Sequence, residues 1–244
     1  MEVMSVRAVG IQVLGLIAAS IIAVLAGTST ALAAGSWHGV VGPGGANIRA
    51  APTTAAAVVS SLAPGQPITV VGWVTGQMVE GVNETWAEIG PGQYVYSAGL
   101  RKPLPAAPPP PPRTFPGRWI DVNLSEQIIT AYNGAAPQFW AVMSSGAPGW
   151  ETEVGVHRIL RRVPNETMSS ATLRVAVEIP YNLPNVLYTQ YFTSYGEAIH
   201  DNYWKGPDSP FGVPTSHGCV GLPEADALRF WNFASVGTIV NIHE

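Results

Sequence analysis

The residues best suited to chemistry lie together near the C-terminal end of the chain. Cys219 is the only cysteine among the 244 residues, and Ser216, His217 and Gly218 directly precede it. A second histidine, His200, lies upstream. A thiol reacts as a nucleophile in its thiolate form, and a neighbouring imidazole can take its proton. Gly218 lets the backbone turn tightly, so that successive N–H groups can point at one place and form an oxyanion hole.

Two other interpretations of these residues stay open at this level. A lone cysteine is most often a small buried hydrophobic residue, although Ser-His-Gly would make a poor core strand. His200, His217 and Cys219 could instead hold zinc, which requires a tetrahedral set of ligands. The sequence contains no H-x-x-x-H pair, which disfavours zinc, and no metal is expected.

The segment between His200 and Cys219 must fold back if the two side chains are to meet. It is rich in residues that interrupt regular structure, namely Gly206, Pro207, Pro210, Gly212 and Pro214. Such a composition predicts a loop. We therefore expect a returning loop to bring the histidine and the cysteine together.

The elements around this loop are predicted to be mainly β. A hairpin is expected at 119–123 and 127–132, and further strands at 138–144, 156–160, 173–179 and 238–242. One helix is predicted at 224–232. Pro223 would lie at its start, and Ala225, Leu228 and Trp231 recur with i, i+3 spacing.

The composition limits the function classes. Hydrophobic residues make up 47% of the chain, so it can bury an ordinary core. The 12 basic and 16 acidic residues give a mildly negative net charge without a basic block, which argues against nucleic acid as a partner. The 26 glycines and 22 prolines are typical of a loop-rich β protein.

Residues 1–33 are interpreted as a secretory signal peptide. Arg7 precedes a long apolar run, and small residues follow it, ending in Ala31-Leu32-Ala33. We expect cleavage after Ala33 and export to the cell wall, the periplasm or the extracellular face. An uncleaved membrane anchor is the alternative, because residues 8–26 are nearly long enough to cross a bilayer.

A proline-rich linker is predicted at residues 102–113. Seven prolines stand among residues 103–112, which favours an extended spacer. Before it, residues 39–101 contain five short β-like runs separated by turn signals, which predicts a small barrel. The linker is expected to let this segment act independently of residues 114–244.

The motif at the end of the chain resembles that of YkuD-type L,D-transpeptidase catalytic domains. The family pattern is a histidine, a spacer and then Ser/Thr-His-Gly-Cys, which His200 and residues 216–219 match. Weaker agreement extends over residues 115–244. Residues 39–101 are similar to bacterial SH3-like domains, on Asn47-Ile48-Arg49, Trp86 and Tyr94-Val95-Tyr96. The expected architecture is a small SH3-like barrel, a linker and a β-rich catalytic domain.

This resemblance implies a cysteine-dependent acyl transfer that needs no cofactor. Cys219 would be the nucleophile and His200 its base, while the backbone carbonyl of Asp201 would hold the other imidazole nitrogen. The residues expected to form the oxyanion turn are Ser216, His217 and Gly218, and those expected to contact the substrate are Tyr203 and Trp204.

The expected partners are peptidoglycan stem peptides, with the SH3-like segment bound to the wall polymer. A tetrapeptide stem would acylate Cys219 and pass to an amine, giving a 3→3 crosslink. Water as the acceptor would make the protein a carboxypeptidase, and loss of activity would leave a wall-binding protein. Papain-like wall endopeptidases are disfavoured, because their cysteine precedes their histidine in the chain.

Two departures from the family pattern concern the pocket. Gly221 stands where the family usually has Arg or Asn. The family favours a Thr-Pro-Thr-Gly-like stretch before its central strand, whereas Glu151-Thr152-Glu153-Val154-Gly155 keeps only a threonine and the glycine. We therefore expect some substrate contacts to differ.

Overall fold

Strands make up most of the regular structure, which confirms the predicted mainly β class. The computed structural model describes residues 36–79, 81, 83–172, 180–206 and 210–244. Within these ranges it contains seventeen β-strands, one α-helix and two short 3-10 turns. No helix there is long and apolar enough to cross a membrane. The predicted signal peptide and the predicted strand at 173–179 lie outside the described residues.

The N-terminal segment, residues 36–101, forms two antiparallel sheets. Its strands are β1 (Trp37–Val41), β2 (Ala46–Arg49), β3 (Val58–Leu62), β4 (Pro67–Val70), β5 (Gly72–Val79), β6 (Asn83–Gly90), β7 (Gln93–Tyr96) and β8 (Leu100–Arg101). The sheet orders are β4-β1-β8 and β3-β2-β7-β6-β5. The sequence pattern does not reveal β1, because Gly39 interrupts its apolar run. The SH3-like barrel stays a prediction.

Alternating side chains build the core of the N-terminal segment. In β4, Ile68 and Val70 point inward and their neighbours outward, as expected of a half-buried strand. Trp37, at the start of β1, is 1% exposed and belongs to the same cluster. Trp86 is fully buried, and its indole N–H donates to the Gln77 carbonyl at 3.0 Å. Trp86 is therefore a packed residue of the N-terminal segment.

The C-terminal segment, residues 114–244, also forms two sheets. Its strands are β9 (Arg118–Asn123), β10 (Ile128–Asn133), β11 (Ala136–Val142), β12 (Gly155–Arg158), β13 (Arg161–Ser169), β14 (Asn182–Tyr191), β15 (Ala198–Asp201), β16 (Val220–Leu222) and β17 (Ile239–His243). The orders are β11-β10-β9-β17-β12 and β13-β14-β15-β16. Buried residues of both sheets form one core. The hairpin of β9 and β10 confirms the predicted one.

The single helix, α1 (Glu224–Phe233), confirms the predicted position but not the predicted face. Ala227 and Phe230 are buried, whereas Leu228 is 39% exposed. Two apolar i, i+3 series run along this helix, and periodicity alone does not choose between them. Packing decides, because Phe230 meets Phe139 edge to face with ring centroids 4.9 Å apart.

The proline-rich stretch lies against the C-terminal segment. Residues 102–117, all described, contain no helix or strand. The indole N–H of Trp140 donates to the Pro105 carbonyl at 2.9 Å, and Lys102 forms an ion pair with Glu126. The expected independence of the two segments is therefore wrong: the linker is docked, and further contacts, described below, join the segments directly.

Candidate active site

Two adjacent strands bring the predicted nucleophile and base together. β15 and β16 pair in parallel, with His200 opposite Gly221. Cys219 directly precedes β16, so the returning loop carries the thiol back to the strand of the histidine. Both side chains line one cleft of about 1160 Å³. Ser216, His217 and Trp204 line the same cleft.

The imidazole of His200 is buried and held in one tautomer. The side chain is 3% exposed, and Nδ1 lies 2.5 Å from the backbone oxygen of Asp201. A carbonyl oxygen only accepts, so Nδ1 carries the proton and Nε2 is left with a lone pair. Burial lowers the pKa of His200 to about 4 against the opposing effect of the Asp201 bond. At neutral pH the ring is thus an uncharged base, stacked on Trp204 at 5.8 Å.

The thiol of Cys219 is protonated at neutral pH. Burial raises its pKa to about 12, and the charges of Glu197 and Glu166 act in the same direction, against a backbone bond from Ala198. Its Sγ lies 3.7 Å from the backbone oxygen of Gly196. With His200 also neutral, both groups are uncharged at neutral pH.

The turn before the nucleophile is fixed by side chains on both sides. The Ser216 hydroxyl donates to the Cys219 carbonyl at 2.6 Å and accepts the Gly218 N–H at 3.2 Å. Thr152, the threonine kept from the family's stretch, donates to the Gly218 carbonyl at 2.8 Å. Gly218 has φ of +106°, and a Cβ there would lie 2.8 Å from Glu197 Oε1. Both features require glycine.

His217 contributes an aromatic wall rather than a second base beside the sulfur. Its ring contacts Trp150 at 4.7 Å, edge to face, and Tyr181 at 5.4 Å. All three line the cleft. The backbone of His217 remains part of the turn that leads to Cys219.

The remaining predicted site residues lie beside the cleft. Tyr203 does not line it; its hydroxyl donates to the Pro184 carbonyl at 2.6 Å, and its ring meets the edge of Trp204 at 5.1 Å. The carboxylate of Asp201 is buried and accepts the Leu187 N–H at 2.5 Å. Asp201 therefore acts on His200 through its backbone.

Gly221 leaves room for a neighbouring amide. A Cβ at this position would lie 2.4 Å from Nδ2 of Asn202, and Asn202 is a buried residue that lines the cleft. Asn202 thus fills the space that a larger side chain at 221 would need. In the parts of the chain that the structure describes, no group of three His, Cys, Asp or Glu side chains is placed to hold a metal ion.

Several charged residues that line the cleft were not predicted from the sequence. Arg161 and Glu166 come from β13, Glu197 precedes β15, and Lys205 lies in the returning loop. Burial lowers the pKa of Lys205 to about 7, and its ammonium donates to the Thr215 hydroxyl at 2.7 Å. Single charged residues at distant positions form no sequence motif, and only the folded structure shows that they lie in one cleft.

Glu197 is the carboxyl group best placed to act on the nucleophile. Its backbone is fixed in a turn, where its N–H donates to the Thr193 hydroxyl at 2.9 Å and its carbonyl accepts the Phe192 N–H at 3.0 Å. Its carboxylate faces the Glu153 N–H at 3.3 and 3.4 Å. Burial raises the pKa of Glu197 to about 7; the Glu153 N–H opposes this and the Glu153 charge adds to it.

Glu197→Gln is expected to make Cys219 more reactive only above pH 7. Below that pH the native carboxyl is protonated and as neutral as the amide. Above it, the native carboxylate opposes thiolate formation, so the variant should react roughly three- to tenfold faster. The measurement is the rate of alkylation by iodoacetamide from pH 5 to 10, which reports on Cys219 alone because the chain has one cysteine.

Glu84→Gln is the matched control, since Glu84 lies on β6 and does not line the cleft. It should follow the native profile at every pH. A Glu197→Gln profile parallel to the native one across the whole range would show that the charge of Glu197 does not reach the sulfur.

Comparison with known proteins identifies the family. Residues 117–242, just over half of the chain, match the model of the YkuD family, the L,D-transpeptidase catalytic domain. A probable L,D-transpeptidase 3 of Mycobacterium tuberculosis is 29% identical over 139 residues, which are 56% of this chain and 45% of that protein. The chain therefore matches less than half the length of this relative.

Solved structures include similar folds. An L,D-transpeptidase from Mycobacterium smegmatis has a TM-score of 0.49 at 16% identity, covering 86% of this chain and 82% of that one. One from Enterococcus faecium has a TM-score of 0.46 at 23% identity, covering 52% and 50%. On the match of the family model over residues 117–242, this chain belongs to the YkuD family of L,D-transpeptidase catalytic domains.

Proposed function

We propose that the protein is an exported L,D-transpeptidase that crosslinks peptidoglycan stems through a thioester on Cys219. The observation that carries the proposal is the cleft that Cys219 lines together with a neutral histidine of fixed tautomer, His200. A neutral base and a protonated thiol in one cleft suit acyl transfer at neutral pH. Membership of the YkuD family selects the peptide class.

The first half of the reaction is acylation by the donor stem. Cys219 Sγ attacks the carbonyl carbon of the third stem residue, and the thiol proton passes to His200 Nε2. The negative charge on the carbonyl oxygen is stabilised by the backbone N–H groups of His217 and Cys219, because those of Ser216 and Gly218 already donate to the Ser145 carbonyl and the Ser216 hydroxyl. The C–N bond to the terminal D-alanine then breaks, and its nitrogen takes the proton from His200. A thioester and free D-alanine result.

The second half transfers the acyl group. The amine of a neighbouring stem attacks the thioester carbon, passes its proton to Nε2 and forms an amide as the C–S bond breaks. The sulfur recovers the proton. The acceptor amine is thus joined to the third residue of the donor, which makes a 3→3 crosslink. Water in place of the amine would make the same site a carboxypeptidase.

The direct test is incubation of the protein with a defined tetrapeptide stem. With the stem alone, mass spectrometry should detect free D-alanine and an acyl adduct on Cys219. With an amine-bearing stem in excess, a crosslinked dimer should accumulate faster than the hydrolysed tripeptide. Hydrolysis that outpaces transfer at every acceptor concentration would favour the carboxypeptidase, and absence of any adduct would reject acyl transfer.

Export and wall attachment are further parts of the proposal. They rest on the signal-like residues 1–33 and on the β-rich N-terminal segment that accompanies the catalytic one. Pelleting of the mature chain with isolated sacculi measures the attachment. A Cys219→Ala variant should pellet as well as the native protein if the N-terminal segment binds the wall polymer.

A further inference from the structure

The loop that carries the nucleophile is built into the core of the N-terminal segment. Val213 is fully buried, and its side chain joins the cluster formed by Trp37, Ile48, Ile68, Val70, Ala87, Val95 and Leu100. It is the member of this cluster that comes from beyond residue 101. Cys219 follows six residues later, so this anchor lies close to the reacting sulfur along the chain.

Two buried hydrogen bonds from the N-terminal segment hold the same stretch. The indole N–H of Trp37 donates to the Gly212 carbonyl at 2.7 Å. The hydroxyl of Thr85 donates to the Pro214 carbonyl at 2.9 Å. The carbonyl groups on either side of Val213 are therefore both satisfied by N-terminal side chains.

The C-terminal segment holds this stretch through its amide groups. The N–H of Gly212 donates to the Met143 carbonyl at 2.7 Å, and those of Thr215 and Ser216 donate to the Ser145 carbonyl at 2.9 Å each. Residues 210–219, which we call the nucleophile loop, are thus fixed from both segments. Gly81 of the N-terminal segment also lines the cleft.

We propose that the N-terminal segment is a positioning part of the active site that holds the nucleophile loop. This inference rests on the proposed function, and it extends that function because wall attachment alone would need no contact with the loop. The loop leads directly into the Ser216–Cys219 turn, so a shift at Val213 moves the sulfur relative to His200. A misplacement of about 1 Å can cost about 10²-fold in rate.

Thr85→Val tests the proposal, because it removes the hydroxyl and keeps the shape of the side chain. Amide hydrogen exchange at residues 215–219 should accelerate roughly tenfold. The kcat for acylation should fall by about the same factor, with KM nearly unchanged, because the loop carries the nucleophile. Thr85→Ser keeps the hydroxyl and should bring both quantities within about twofold of the native values.

A control variant separates positioning from general destabilisation. Thr53→Val also removes a side-chain hydrogen bond of the N-terminal segment, the one that Thr53 donates to Gln77 at 2.7 Å. It should leave loop exchange and kcat at native values. Val213→Ala gives a second test, with Val95→Ala as the matched loss of volume in the same core.

Native loop exchange and kcat in both Thr85→Val and Val213→Ala would overturn the proposal. Equal effects of Thr85→Ser and Thr85→Val would also overturn it, because the hydroxyl bond would then not hold the loop. Equal effects of Val95→Ala and Val213→Ala would overturn it as well, because a general loss of core packing predicts them. The exchange measurement requires no substrate. If the native protein shows no acylation activity, the proposed function is rejected. The exchange rates of the loop amides would still show whether the N-terminal segment positions the loop.

Discussion

Cys219→Ala is expected to abolish acylation, with a loss of about 10⁴-fold or more. The side chain supplies the atom that bonds to the substrate, and the chain has no other cysteine to replace it. Folding should change little, because the half-buried thiol contributes few packing contacts; Tm should move by less than about 4 °C. Turnover of the tetrapeptide stem and thermal unfolding measure the two quantities.

Cys219→Ser is the companion variant, since it keeps a hydroxyl in nearly the same place. A serine hydroxyl is far less acidic than a thiol, so the adduct seen by mass spectrometry should disappear here also. In the native protein the adduct should be released by hydroxylamine, as a thioester is. Retention of more than a small fraction of activity in either variant would remove Cys219 from the mechanism.

His200→Gln is expected to lower the rate of acylation by about 10²–10⁴-fold. The native ring is neutral above its pKa of about 4, so in the proposed reaction it can accept the thiol proton throughout the neutral range. The variant has no base, and burial already raises the pKa of the Cys219 thiol to about 12 in the native protein. Only a very small thiolate fraction then remains at pH 7.

The pH dependence of the acylation rate should distinguish the native protein from the His200→Gln variant. The native rate should be lost as pH falls through about 4, because His200 becomes protonated and cannot act as a base. The His200→Gln rate should rise about tenfold per pH unit as the thiol ionises unaided, and it should still lie below the native rate at pH 10. The measurement is the rate of thioester formation from about pH 3 to 10.

Two further variants complete this test. His200→Asn places an amide donor near the position of Nδ1, so it can keep the hydrogen bond to the Asp201 carbonyl although it lacks the base. This variant should fold well and be as inactive as His200→Gln. His217→Gln should cost less, because its ring belongs to the aromatic wall with Trp150 and Tyr181. Equal defects at His200 and His217, or a flat His200→Gln profile, would contradict the assigned roles.

The sequence alone indicated the candidate chemical residues of the site. Ser-His-Gly-Cys is local, so the candidate nucleophile, its glycine turn and its hydroxyl support are adjacent in the chain. His200 was predicted to join them because the segment that follows it is rich in glycine and proline, and the structure places both residues along one cleft. The strand pattern predicted the hairpin of β9 and β10. Pro223 and the i, i+3 apolar spacing predicted the position of α1. These features depend on nearest neighbours along the chain, which a sequence displays directly.

Other features were decided by the tertiary structure. His200 is neutral because it is buried. Cys219 is neutral because of burial and the charges of Glu197 and Glu166, which come from different parts of the sequence. The apolar face of α1 was set by packing on Phe230, not by periodicity. Burial and through-space charge depend on what surrounds a residue, and the local pattern does not contain that information.

The contacts between the N-terminal and C-terminal segments show most clearly what a local sequence pattern does not contain. The run of prolines predicted independent units, because proline composition reports stiffness and solvation but not what the chain lies against. The structure docks the linker and buries Val213 in the core of the N-terminal segment. Nothing in the local pattern distinguishes a loop valine in another segment's core from one in solvent. The sequence indicated the candidate nucleophile and base, and long-range packing determined what holds them in place.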